Sequence, residues 1–114
     1  MKKYILIILI LCSHNLFSQT GADWTERGIA KVELKDYSGA IADFNKAIEL
    51  NDQYKIFAYF IRGIAKVELK DYRGAILDFN KAMELSPNDA SIYSARGYAK
   101  SKLKDYSGDR KSVV

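Results

Sequence analysis

The feature that most limits what this chain can become is an internal duplication. Residues 62–85, RGIAKVELKDYRGAILDFNKAMEL, repeat residues 27–50, RGIAKVELKDYSGAIADFNKAIEL, at an offset of 35 and without gaps. Of 24 aligned positions 21 are identical, and the differences are Ser38/Arg73, Ala42/Leu77 and Ile48/Met83. A decaying third copy, RGYAKSKLKDYSGD, opens at Arg96, 34 residues after the second. A fixed period of this size marks an array of supersecondary units, none of which can bury its apolar face alone.

Each unit reads as two helices. Trp24, Gly28 and Lys31 recur at helical spacing, as do Ala30 and Leu34. Asp23 reads as the N-cap, with Glu26 three residues on in the manner of a capping box. Residues 35–39 break the run as a tight turn, and a second helix over 38–50 carries one broad stripe of Ala40, Ile41, Phe44, Ala47 and Ile48. The second unit repeats the plan over 57–70 and 73–85, with Asp71-Tyr72 at its corner. Ser86-Pro87-Asn88-Asp89 then stops the helix, and Asn88 or Asp89 caps the next. The third unit starts near Ala90 and reaches its turn at Lys104-Asp105-Tyr106, leaving half a second helix.

Small residues indicate how the helices meet. Gly28, Gly63 and Gly97 fall inside helices, where glycine costs about 1 kcal/mol relative to alanine. Their recurrence predicts a neighbour passing close by. Ala40, Ala47, Ala75 and Ala82 serve the second helices in the same way, while Phe44, Phe79, Tyr37, Tyr72, Leu34 and Leu69 fill the remaining space.

The first 18 residues stand outside this plan. Lys2 and Lys3 precede an unbroken apolar run over 4–11, and 15–19 turns polar, which is the layout of a secretory signal peptide. The run is shorter than the roughly 20 residues needed to span a bilayer. Cleavage after Ser18 predicts an exported protein, periplasmic or secreted, with no membrane attachment once the leader is gone. A retained apolar anchor is one alternative. A lipoprotein acylated at Cys12 is another, against which Leu11 stands where a small residue is expected. The only cysteine, Cys12, and the only histidine, His14, leave with the leader.

That loss narrows the chemistry. A mature chain without His or Cys has no imidazole base, no thiolate nucleophile and no soft metal ligand, so neither an enzyme nor a cofactor or metal site is expected. Asp36-Tyr37 and Asp71-Tyr72 recur with the period and are corner residues, not a catalytic carboxylate pair; Gly39 and Gly74 belong to the turns and do not cradle a phosphate. The formal charge of +4 falls to +2 without Lys2 and Lys3, and the mild basic bias of residues 90–114 reads as a solvated face, not a nucleic-acid footprint.

The repeated unit resembles the tetratricopeptide repeat (TPR), whose pattern is W-x2-L-G-x2-Y, then A-x3-F, then Ala, then Pro. Tyr59, Gly63, Ala75, Phe79, Ala82 and Pro87 match it in the second unit. Trp24, Gly28, Ala40, Phe44 and Ala47 match it in the first, where Asp52 replaces the proline, and Tyr93 and Gly97 match it in the third. The resemblance implies an all-α, right-handed α-solenoid of helix-turn-helix hairpins, two full repeats plus a partial third. Behind a leader (1–18) and a short linker (19–22), the TPR domain covers 23–114, with repeats over 23–55, 56–89 and 90–114. Arg27, Arg62 and Arg96 stand where the pattern has leucine, and Lys31, Lys66 and Lys100 where it has tyrosine. These like charges share a face at i, i+4, and Asp43 and Asp78 on the second helices are the expected partners of the arginines. Asp109 and Val113 replace the packing alanine and phenylalanine of the third unit, whose serine- and lysine-rich first helix reads as the polar closing helix of an array.

By the same resemblance, a protein or peptide partner would lie in the concave groove made by the first helices. The residues facing it would be Phe57, Phe60, Ile64, Val67 and Glu68 in the second unit, Ile29, Val32 and Glu33 in the first, and Tyr98 in the third. Phe57 and Phe60 are replaced by Ala22 and Thr25 in the first unit and by Ser91 and Ser94 in the third. Two aromatics at one point of a groove suit an apolar peptide side chain; the competing reading packs them against neighbouring helices or a dimer partner. The basic, asparagine-rich set that clamps a terminal carboxylate in some relatives is missing, since Thr25, Ile29, Phe60 and Ile64 occupy its places. The alternative to a binding module is a shortened structural unit that self-associates as a homo-oligomer through its incomplete last repeat.

Overall fold

The computed structural model describes Tyr4, residues 19–51 and residues 53–112, those after Asp105 by backbone alone. The expected cleavage point at Ser18, Cys12 and all of the expected leader but Tyr4, together with the Asp52 and Val113 substitutions, lie outside the described residues. Among the described residues from Gln19 onward there are five helices: α1 (Gly21–Glu33), α2 (Tyr37–Glu49), α3 (Lys55–Glu68), α4 (Tyr72–Leu85) and α5 (Ala90–Ser112). Among the described residues there is no strand. Helices α1 and α2 form one hairpin and α3 and α4 a second; α3 also packs on α2, and α5 on α4. The odd-numbered helices meet next-but-one, α1 with α3 and α3 with α5, so they line one side of the array.

The helix starts differ from the sequence reading in one instructive place. Thr20, not Asp23, caps α1: its hydroxyl accepts from the Asp23 amide at 3.2 Å, and the Asp23 carboxylate accepts from the Thr20 amide at 2.9 Å. Asp23 is therefore the third residue of the helix in a reciprocal capping box, and the expected linker already contains the first turn. Asp89 caps α5, its side chain accepting from the Ser91 amide at 2.9 Å.

Both corners are built the same way. After α1 the Lys35 amide donates to the Val32 carbonyl and the Asp36 amide to the Lys31 carbonyl; Lys70 and Asp71 repeat this with Val67 and Lys66. This paired closure is a Schellman motif, which puts its central residue in the left-handed region. Lys35 (φ 61°) and Lys70 (φ 64°) occupy that position without glycine. Gly39 and Gly74, expected in the turns, instead sit in the first turns of α2 and α4, where their amides donate to Asp36 and Asp71 at 3.1 and 3.0 Å.

The core is two clusters in series. Ala40, Phe44 and Ala47 of the first hairpin close against Ala58 of α3; Ala75, Phe79 and Ala82 of the second close against Ile92 and Ala99 of α5. Gly28 and Gly63 do admit a close neighbour, and it is an aromatic ring: a Cβ at Gly28 would stand 2.6 Å from the Phe44 ring, and one at Gly63 would stand 2.5 Å from Phe79. Gly97 has nothing within 4 Å. The expectation of one role for all three glycines thus holds for two.

A polar layer runs beside the core. Arg62 donates Nε to Asp78 Oδ2 at 2.9 Å and Nη2 to Oδ1 at 2.6 Å, with Lys66 Nζ also 3.0 Å from Oδ2. Arg62 Nη1 reaches back to Asn45 Oδ1 of the preceding hairpin at 2.8 Å. Asp43 pairs with Lys31 at 3.0 Å and more loosely with Arg27 at 3.8 Å. The expected pairing of buried Asp43 and Asp78 with the arginines is therefore present in both hairpins.

The third unit does not turn. Helix α5 continues through the expected corner at residues 104–106 to Ser112. The first two corners place a lysine in a left-handed conformation, which is sustained by packing of the helix that follows. In the third unit Asp109 replaces the small apolar residue at the head of that packing stripe, so local propensity favours continuing the helix.

Candidate functional site

An open apolar groove of about 460 Å³ lies between α1 and the start of α3. Ala22, Thr25, Glu26 and Ile29 form its α1 wall; Gln53, Tyr54, Ile56 and Phe57 form the other. The groove exists because the first unit carries small residues where the second carries aromatics. Ala22 and Thr25 occupy the positions of Phe57 and Phe60, so α1 brings two small side chains to the groove where α3 carries two rings. Thr25 is buried, with its hydroxyl donating to the Gly21 carbonyl at 2.6 Å, which turns its methyl group and not a free hydroxyl to its surroundings. Phe57 remains 47% exposed on the wall of this groove.

The nine expected groove residues divide. Ile29 and Phe57 line this groove together. Phe60 leans on Phe79, their ring centroids 6.0 Å apart and tilted by 53°, and Ile64 and Val67 pack half-buried on the same second cluster. Val32 packs on the first cluster. Glu33 and Glu68 are exposed near the ends of α1 and α3. Tyr98 is 54% exposed on α5, with the Lys102 ammonium 5.6 Å from its ring centre. The core-packing reading thus holds for Phe60, while Phe57 is exposed at the groove. Glu26, Gln53, Tyr54 and Ile56 were not singled out by sequence. The contrast of Ala22 and Thr25 with Phe57 and Phe60 singled out the two aromatics and not the opening between α1 and α3.

This arrangement is shaped to grip an apolar group. Its lining is mainly apolar, with Glu26 and Gln53 among its polar members, so it would take an aliphatic or aromatic side chain. Among the described residues no group of three or more His, Cys, Asp or Glu side chains is placed to hold a metal ion, and no helix is long and apolar enough to cross a membrane.

Comparison with known proteins agrees with this architecture. A model described as a tetratricopeptide repeat matches residues 24–54, and one described as a TPR repeat matches residues 63–104. No curated protein matches the chain. Among solved structures, the TPR domain of Arabidopsis OM64 is similar with a TM-score of 0.70 and 28% identity, over 77% of this chain and 72% of that one. The chain carries tetratricopeptide repeats, and its fold is an all-α solenoid built from them.

Proposed function

We propose that this chain is an exported, non-enzymatic module that holds a protein partner by seating an apolar side chain of that partner between α1 and α3. Tetratricopeptide arrays are generally protein-interaction scaffolds. The observation that carries the finer reading is Phe57, half exposed on the wall of an apolar groove of about 460 Å³. An exposed aromatic beside an unfilled apolar space is the arrangement from which binding hot spots are made. The basic Lys2 and Lys3 followed by the apolar run over 4–11 support export.

Peptides selected from a random library on the chain beginning at Gln19 test the groove. Phe57→Ala should weaken the selected peptides by at least about tenfold, the lower range of a hot-spot truncation. Ala22→Trp, which fills the groove from the opposite wall, should do the same. Phe60 is unsuitable for this purpose because it supports Phe79. Circular dichroism should show unchanged helix content in both variants. Peptides that bind both variants as tightly as the native chain would place the site elsewhere. For export, the mature protein recovered from its host should begin at Gln19; a chain that retains Lys2 and Lys3 would refute cleavage.

A further inference from the structure

The two complete hairpins contain the same lock. In the second, Arg62 and Lys66 of α3 close on buried Asp78 of α4, while the Phe79 ring lies on Gly63. In the first, Arg27, Lys31 and Gly28 of α1 receive Asp43 and Phe44 of α2 in the same manner. The first helix of each hairpin is the cationic, glycine-notched half; the second supplies adjacent acid and ring. Helix α5 repeats the first half in register: Tyr93, Arg96, Gly97 and Lys100 stand 34 residues after Tyr59, Arg62, Gly63 and Lys66. Arg96 is even set as Arg62 is, over the ring three residues before it and bonded through Nη1 to the preceding hairpin's asparagine, here Asn80 at 3.0 Å. The other half has no counterpart among the described residues. Among the described residues no carboxylate lies within ion-pairing distance of Arg96 or Lys100, and the notch at Gly97 is open.

We propose that this face of α5 is a second docking surface, separate from the α1–α3 groove, and that its occupant is an amphipathic helix of a partner protein. That helix carries an acidic residue followed directly by phenylalanine, with alanine three residues before the acid and three after the ring. The acid enters between Arg96 and Lys100, the ring covers Gly97, and the alanines allow close approach, as Ala75, Asp78, Phe79 and Ala82 do on α3. Charge decides against a second copy of the chain pairing α5 with α5. Arg96, Lys100, Lys102 and Lys104 would face their own copies, with Asp105 the single acid among that helix's described side chains.

A synthetic peptide copying residues 71–86 of this chain serves as the probe, titrated against the intact chain and followed by fluorescence anisotropy. Saturable binding is expected. Asp78→Lys in the peptide should weaken it by about tenfold or more, the scale on which charge pairs across an interface act. Gly97→Leu in the protein should do likewise, because a leucine occupies the seat of the ring; leucine favours helix more than glycine does, so this loss cannot be assigned to melting of α5. Phe57→Ala should leave the peptide's affinity unchanged. The proposal is overturned by absence of binding at millimolar peptide, by equal binding of the Asp78→Lys peptide, by insensitivity to Gly97→Leu, or by loss on Phe57→Ala, which would put the peptide in the groove. It is equally overturned if sedimentation shows a dimer of the chain that Gly97→Leu dissolves.

Discussion

Gly63 and Gly97 occupy the same place in the repeat and should respond to the same substitution with opposite signs. At Gly63 an added methyl meets the Phe79 ring at 2.5 Å, in a cluster with no slack. Overpacking of this kind costs about 1–3 kcal/mol, against which the helix gains about 1 kcal/mol from alanine. Gly63→Ala should therefore lower stability by about 1 kcal/mol once both effects are combined. At Gly97 nothing lies within 4 Å, only the propensity gain remains, and Gly97→Ala should raise stability by about 0.5–1 kcal/mol. Urea denaturation of the two variants checks both; a gain at Gly63 would mean that its ring contact is not real. The buried acids show a similar inequality. Asp78 holds a bidentate arginine whose side chain is 16% exposed, whereas Asp43 has a distant one that is 49% exposed. Asp78→Ala strands two half-buried cations and should cost about 3–5 kcal/mol. Asp43→Ala should cost clearly less in the same assay. The asymmetry arises because Arg62 is steadied by Asn45 from the hairpin before it and Arg27 has no such neighbour among the described residues.

At the scale of the element, the corners are the part least legible in sequence. Glycine at 39 and 74 invited the reading that these residues make the turn, yet their use is to let Asp36 and Asp71 reach an amide in the first helical turn. The left-handed positions belong to Lys35 and Lys70, residues with no preference for that conformation. Only the hydrogen bonds that close the helix reveal it. Lys70→Gly should accordingly stabilise the chain by about 1 kcal/mol, by removing the steric penalty of a side chain in that region. A thermal scan showing a lower midpoint would contradict the assignment. Helix α5 makes the complementary point. Its sequence keeps the corner residues Lys104-Asp105-Tyr106, but a corner is stable only if the helix beyond it has something to bury, and the stripe has lost its first alanine to Asp109. Local signals predicted a turn; the missing packing partner decided for a straight helix. By contrast the four helices of the first two units, their hairpin pairing and the alanine–phenylalanine core were readable, because periodicity and repetition state them more than once; Leu34 and Leu69, read as filling the same core, are instead exposed. The groove was half readable: Ile29 on one wall and Phe57 on the other carry a periodic signal, while Gln53 and Tyr54, which complete the second wall, precede α3 and carry none.

For the whole molecule, the series arrangement of the two clusters determines how damage spreads. Each cluster joins one hairpin to the first helix of the next, so α3 closes the first and α5 closes the second. In such an array stability is a sum of unit terms and nearest-neighbour terms. Ile92 is among the largest side chains wholly removed from solvent, and it belongs to α5, the helix with the most polar sequence. Ile92→Ala should cost about 2–5 kcal/mol by leaving a cavity at this interface. The loss should be felt unequally. Amides of α5 and α4 should exchange much faster with deuterium, those of α3 less so, and those of α1 and α2 least, since they touch the damaged cluster only through α3. An equal acceleration in all five helices would show that the array unfolds as one unit and that the two clusters are energetically a single core. The gradient, if measured, has a functional corollary: the α1–α3 groove sits at the end farther from Ile92, so peptide binding there should survive a substitution that loosens α5.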